Sequence, residues 1–162
     1  MAPLLIAEQQ DGLLTPTLNR PDKRNALNTE LYQQLVAALR EAAADEAVHV
    51  LLLQGQQDCF TAGNDLADFM GKSALEPDDP ILQFLHTLAD FPKPVIAAVA
   101  GSAVGIGTTL LLHCDLVYLG DNARLQLPFV ELGLVPEFAS SLLLPRLVGH
   151  LKAAELLLLA EA

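Results

Sequence analysis

Positive charge is scarce in this chain. Nine lysines and arginines stand against twenty aspartates and glutamates in 162 residues, a formal net charge of −11. Binding a polyanion requires many cations to neutralise phosphates, so nucleic acid is excluded as a partner. Any smaller anion must be held by local Lys or Arg. Cysteine is almost absent. Cys59 and Cys114 show no metal or redox spacing and sit in apolar surroundings, which reads as two small core residues of a reducing compartment. The four histidines are scattered and form no metal constellation. No apolar run is long and uninterrupted enough to span a membrane. Met1-Ala2-Pro3 lacks a basic stretch and is followed by Glu8 and Asp11, so no secretory signal is visible. The expected location is the cytoplasm.

Apolar residues make up 52% of the chain and charged ones 18%. A chain of this length and composition can bury a sizeable core, and residues 1–162 read as a single domain. Leu4 to Ile6 and Leu13 to Leu18 are short apolar runs split by Asp11-Gly12, a hairpin signal. Asn28 is placed to cap a helix from Thr29 to about Ala44, whose apolar positions Leu31, Leu35, Ala38, Leu39 and Ala42 share one face. Val48 to Leu53 reads as a strand covered on both faces, and strand, helix, strand implies a parallel crossover. Lys72 to Pro80 is polar and reads as a loop. Ile81, Leu82, Phe84, Leu85 and Leu88 form a helical stripe, stopped at Phe91-Pro92-Lys93-Pro94. Val95 to Val99 is a second buried strand, with a helix from about Gly107 to Cys114 and a strand at Leu116 to Leu119 after it. A short strand at Arg124 to Leu127 and helices at Leu142 to Val148 and Lys152 to Leu159 complete the reading. The last of these is a hydrophobic helix with nothing after it to pack against, which suggests part of a larger unit or one protomer of an oligomer.

Two glycine-containing turns carry the chemical signal. They are Phe60-Thr61-Ala62-Gly63-Asn64-Asp65-Leu66 and Gly101-Ser102-Ala103-Val104-Gly105-Ile106-Gly107. Each follows an apolar run and opens towards a helix. Glycine lets the backbone turn sharply and a ligand approach the main chain. Helix starts present free N–H groups. Two such turns meeting at one end of a sheet make a cradle for a developing oxyanion, which points to chemistry on a carbonyl.

These turns, with Asn19-Arg20-Pro21-Asp22-Lys23-Arg24-Asn25-Ala26-Leu27-Asn28, Pro92-Lys93-Pro94-Val95-Ile96-Ala97 and Cys114-Asp115, resemble the crotonase, or enoyl-CoA hydratase/isomerase, superfamily in their order and spacing. The resemblance implies an α/β fold, a spiral of ββα units with a mostly parallel sheet flanked by helices. It implies an acyl-CoA thioester substrate, with coenzyme A part of the substrate and no separate cofactor. The thioester oxygen would be held by the backbone N–H groups of Ala62 and Ile106. Lys23, Arg24 and Ala26 match the turn that contacts coenzyme A, while Gly63, Asn64, Asp65, Leu66 and Gly105 would line the substrate site. The family further implies a C-terminal helical region beyond Ala162 and assembly as a homotrimer or dimer of trimers.

Hydratases of this family use two glutamates. Their places are held here by Thr109 and Phe129, and neither transfers a proton at neutral pH. Leu134-Val135-Pro136-Glu137 instead resembles the motif of peroxisomal-type 3,2-enoyl-CoA isomerases, in which a single glutamate moves the proton. Those enzymes commonly carry glycine where this chain has Phe138. The reading is therefore isomerisation of a 3-enoyl-CoA to a 2-enoyl-CoA with Glu137 as base. Its apolar neighbours Leu134, Val135 and Phe138 should raise its pKa. Glu131 reads as structural or exposed, Asp115 as fixing a strand end, Asp65 as an N-cap, His113 as a core or rim residue, and Ser140 and Ser141 as helix-capping residues. Three alternatives stand beside this reading. One is another crotonase-type reaction such as hydration or thioester hydrolysis. Another is a serine-peptidase relative, disfavoured because Gly105 holds the nucleophile's place and Ser102 lies too early. The third is a non-catalytic acyl-CoA-binding protein.

Overall fold

The structure, a computed structural model, describes residues 3–70 and 76–161, leaving aside the side chains of 69 and 70. Its first element is a hairpin, β1 (Leu5–Gln10) and β2 (Leu13–Leu18), paired antiparallel with Leu5 opposite Leu18. Asp11 and Gly12 both have positive φ, 51° and 84°, as a tight two-residue turn requires. Helix α1 (Thr29–Ala44) begins where Asn28 accepts the Leu31 N–H on its side chain at 3.0 Å. Its far end is held by the Lys93 ammonium, which donates to the carbonyls of Ala42 and Asp45.

The chain then alternates between two sheets. Strands β3 (Val50–Gln54), β5 (Val95–Val99) and β7 (Leu116–Leu119) join the hairpin in a five-stranded sheet of order β1-β2-β3-β5-β7. Every pairing after the hairpin is parallel. Strands β4 (Cys59–Thr61), β6 (Ser102–Val104) and β8 (Arg124–Gln126) form a second, three-stranded parallel sheet. Helix α3 (Pro80–Ala89) packs beside α1 with the Tyr32 and Phe84 rings 5.5 Å apart. The main core lies between these helices and the first sheet, built on Leu31, Leu35, Leu51, Leu53, Phe84, Val95 and Ala97.

Several elements differ from the sequence reading. Strand β3 starts at Val50, with Val48 buried just before it, and its burial alternates. Strand β8 ends one residue before the strand expected at Arg124–Leu127, while β4 and β6 are absent from the reading, which assigned their residues to the two glycine turns. The helix expected over Gly107–Cys114 starts at Ile106 as α4 (Ile106–Thr109) and tightens into a 3₁₀ turn over Leu110–His113. Helix α5 (Ser140–Val148) is followed by α6 (His150–Ala154) and a wider π turn over Glu155–Leu159. Of the expected loop at Lys72–Pro80, residues 72–75 lie outside the described residues, and Pro80 already belongs to α3. Asp115 behaves as expected. Its carboxylate accepts the Val95 N–H and its own N–H donates to the Val95 carbonyl, both at 2.8 Å, tying β7 to β5. No helix among the described residues is long and apolar enough to cross a membrane.

Candidate active site

The second sheet positions the site. Its three strands lead into the glycine turn at Gly63, into α4, and into the turns at Pro128–Gly133, and the segments beyond them surround a cavity of about 240 Å³. Ala62, Gly63, Asn64 and Leu66 line one side; Val104, Gly105 and Ile106 line another. Pro128, Phe129, Leu132, Leu134 and Glu137 complete it. Phe129 and Ile106 are buried side chains of this wall, and among the described residues Glu137 is the one carboxylate in the lining.

The backbone of the first turn corrects one expectation. The Ala62 N–H donates to the Arg24 carbonyl at 3.0 Å, so it is not available to a ligand. In a regularly extended chain the N–H groups of residues 62 and 64 would face the same way. Gly63, at φ 89°, reverses that alternation. Its own position admits no side chain, since a Cβ there would lie 2.7 Å from the Val104 carbonyl oxygen. The Leu27 N–H donates to the Gly63 carbonyl at 2.8 Å and the Asp65 N–H to the Leu27 carbonyl at 2.9 Å. Asn64 lies between those two bonds with its N–H unspent. Among the described residues neither the Asn64 N–H nor the Ile106 N–H has an acceptor. Both residues line the cavity that holds Glu137.

The Asn64 side chain is locked from behind. The buried Tyr32 hydroxyl donates to its Oδ1 at 2.6 Å. Burial, with the charges of Glu137 and Asp79, pushes the Tyr32 phenol well above its ordinary range, so it remains a donor at any working pH. Asp65 caps α2 (Leu66–Met70), accepting the Ala67 N–H at 3.2 Å, and it also takes an ion pair from Arg20 at 2.7 Å. The hydrogen bond from Arg20 holds the Asp65 carboxyl below its usual range. Lys23, Arg24 and Ala26 lie on the turn joined to this region, where the Arg24 guanidinium donates to the Ser102 hydroxyl at 3.1 Å and Arg20 donates to the Ala26 carbonyl at 2.9 Å.

Burial raises the Glu137 carboxyl from 4.5 to about 7, with a small opposing effect of the Thr109 hydroxyl, which reaches Oε1 at a long 3.4 Å. A carboxyl poised near neutrality can both accept and return a proton. Phe138 and Ala139, just after it, have φ of 50° and 53°. Such left-handed positions cost roughly 1–2 kcal/mol each for residues with a side chain. The turn is secured by Ser140, whose N–H and hydroxyl both donate to the Glu137 carbonyl, at 2.9 and 2.6 Å. Ser140 is therefore not the N-cap expected of it; Ala139 occupies that position. Glu131 is exposed, away from the cavity lining.

The arrangement thus joins two free backbone donors to one half-buried carboxyl at the mouth of a parallel sheet. A family model described as enoyl-CoA hydratase/isomerase matches residues 8–162. The chain belongs to the enoyl-CoA hydratase/isomerase family. Its backbone is similar to that of OdaA from Pseudomonas aeruginosa, with a TM-score of 0.94 and 57% identity, covering 99% of this chain and 65% of that one. Enoyl-CoA delta isomerase 2 of Rattus norvegicus is 38% identical over 163 residues, 97% of this chain and 41% of the relative. The 2,3-dehydroadipyl-CoA hydratase of Escherichia coli (strain K12) is 42% identical over 163 residues, 100% of this chain and 64% of the relative. The chain thus spans between two fifths and two thirds of the length of these two relatives. The mostly parallel sheets flanked by helices are those of a crotonase fold, shared with these structural neighbours.

Proposed function

We propose that this chain carries the proton-transfer centre of an isomerase that converts a 3-enoyl-CoA into the conjugated 2-enoyl-CoA. The observation that carries the reading is the half-buried carboxyl of Glu137 in a cavity that also presents the free Asn64 and Ile106 N–H groups. The thioester oxygen accepts both N–H groups. The Glu137 carboxylate removes a proton from C2, and the electron pair moves into the thioester to give a dienolate. The two donors hold the negative oxygen, whose charge grows towards the transition state, so they favour it over the ground state. The same carboxyl returns its proton to C4, leaving the double bond between C2 and C3. No net proton is gained or lost. Lys23, Arg24 and Ala26 would face the nucleotide portion of coenzyme A.

Hydration is the second reading, favoured by the 42% identity to the hydratase of Escherichia coli (strain K12). Water addition calls for one group to activate water and another to deliver a proton. Thr109 and Phe129 hold the places where hydratases of the family carry their glutamates, and neither titrates near neutrality. The exposed apolar side chains Leu147, Leu151, Leu158 and Leu159 support assembly into an oligomer, a trimer by family resemblance. The deciding experiment follows 3-enoyl-CoA conversion by ultraviolet absorbance, with crotonyl-CoA hydration as control. Conversion that disappears in Glu137→Gln, without hydration, supports the isomerase. Hydration by the unaltered chain refutes it.

A further inference from the structure

His113 has no part in the chemistry just described, yet it touches the strained turn that carries Glu137. Its Nε2 lies 2.9 Å from the Phe138 carbonyl oxygen. A carbonyl only accepts, so Nε2 carries the proton and donates. The imidazole also stacks on the Phe138 ring, with centroids 3.6 Å apart and planes inclined by 16°. Phe138 is one of two successive side-chain-bearing residues in the left-handed region. Such a backbone persists only where its surroundings hold it.

Besides the Ser140 bonds to the Glu137 carbonyl, the grip comes from one short segment. Ile106, Thr109 and His113 all belong to the continuous turns of Ile106–His113. Ile106 presents its N–H to the cavity, Thr109 reaches the Glu137 carboxyl, and His113 holds the next residue's carbonyl. One rigid element therefore bears on the oxyanion side and on the base side at once. We propose that His113 is a positioning residue that clamps Phe138 and so fixes the Glu137 carboxylate relative to the Ile106 N–H. The inference rests on the reading of Glu137 as the base.

The test compares the full chain with His113→Ala, Phe138→Gly and the double variant, each first checked for folding by thermal melting. His113→Ala should lower kcat for 3-enoyl-CoA roughly 10–100-fold, the scale of a slight misplacement of a reacting group, with KM little changed. Glycine adopts a left-handed φ unaided. Adding Phe138→Gly to His113→Ala should therefore restore kcat to the level of Phe138→Gly alone. A second readout needs no turnover. In ¹³C NMR titration of the free protein, the Glu137 midpoint should fall from about 7 towards 4.5 in His113→Ala, as the released carboxyl turns to water. If His113→Ala does not fold, His113→Phe keeps a stacked ring without the N–H and reads the same quantities. An unchanged kcat with an unchanged Glu137 midpoint overturns the proposal. So does a kcat loss that Phe138→Gly leaves unrepaired. A native chain with no isomerase activity refutes the base assignment instead, while the midpoint still reports on the clamp.

Discussion

Glu137→Gln should make the protein more stable at alkaline pH while removing its activity, and the size of the effect follows from the burial of one carboxyl. In the folded chain Glu137 holds its proton up to about pH 7; unfolded, it releases it near 4.5. Between these values the folded state binds a proton that the unfolded state has lost. Stability contributed by the protonated carboxyl is thus complete below about pH 4.5 and lost as pH rises through 7. The difference between the two values corresponds to about 3 kcal/mol. Glutamine has nearly the same shape and no proton to lose. Urea unfolding of both proteins between pH 4.5 and 8.5 checks this. The stability of Glu137→Gln relative to the native chain should rise by about 3 kcal/mol across that range and level off above pH 8. A relative stability that stays flat with pH would show that the carboxyl is hydrated in solution, and the argument for a neutral-range base would fall with it. In the native chain the same titration requires kcat/KM to increase tenfold per pH unit below 7 and to level off above it.

Three further outcomes are expected. Ile106→Pro deletes one oxyanion donor at the first position of a helix, where proline fits, and should reduce kcat/KM roughly 10²–10³-fold while circular dichroism stays native. Gly101→Ala would place a Cβ 1.9 Å from the Asp58 carbonyl oxygen at φ 67°, so β6 must shift from β4. A loss of more than about 3 kcal/mol, or failure to fold, is expected in thermal melting. Asn28→Ala removes the cap of α1 and should cost about 1 kcal/mol, read as a lower urea midpoint with unchanged m-value.

Much of the fold is local, and local features were legible. Asp11-Gly12 turns a hairpin because both positions accept positive φ. Asn28 and the apolar stripe behind it set α1 at Thr29–Ala44, and the apolar run Val95–Val99 is a strand with the bounds expected of it. The order of motifs was sufficient to place the family, and Glu137 was singled out by the residues around it. The pairing of β4, β6 and β8 was not legible, since three-residue strands gain their stability from partners far along the chain.

The site shows the same division. Sequence alone determined that two glycine turns, a lone glutamate and an apolar lining occur in this order, because those are matters of residue type and spacing. Which N–H groups remain free was decided by tertiary structure. Arg24 reaches across from another segment to take the Ala62 N–H, and the reversal at Gly63 leaves Asn64 as the free donor instead. The neutral-range affinity of Glu137 likewise comes from burial, and its aim from Thr109, Ser140 and the His113 contact with Phe138. Hydrogen-bond competition and desolvation depend on which distant atoms arrive first at a group, and only the folded chain brings those atoms together.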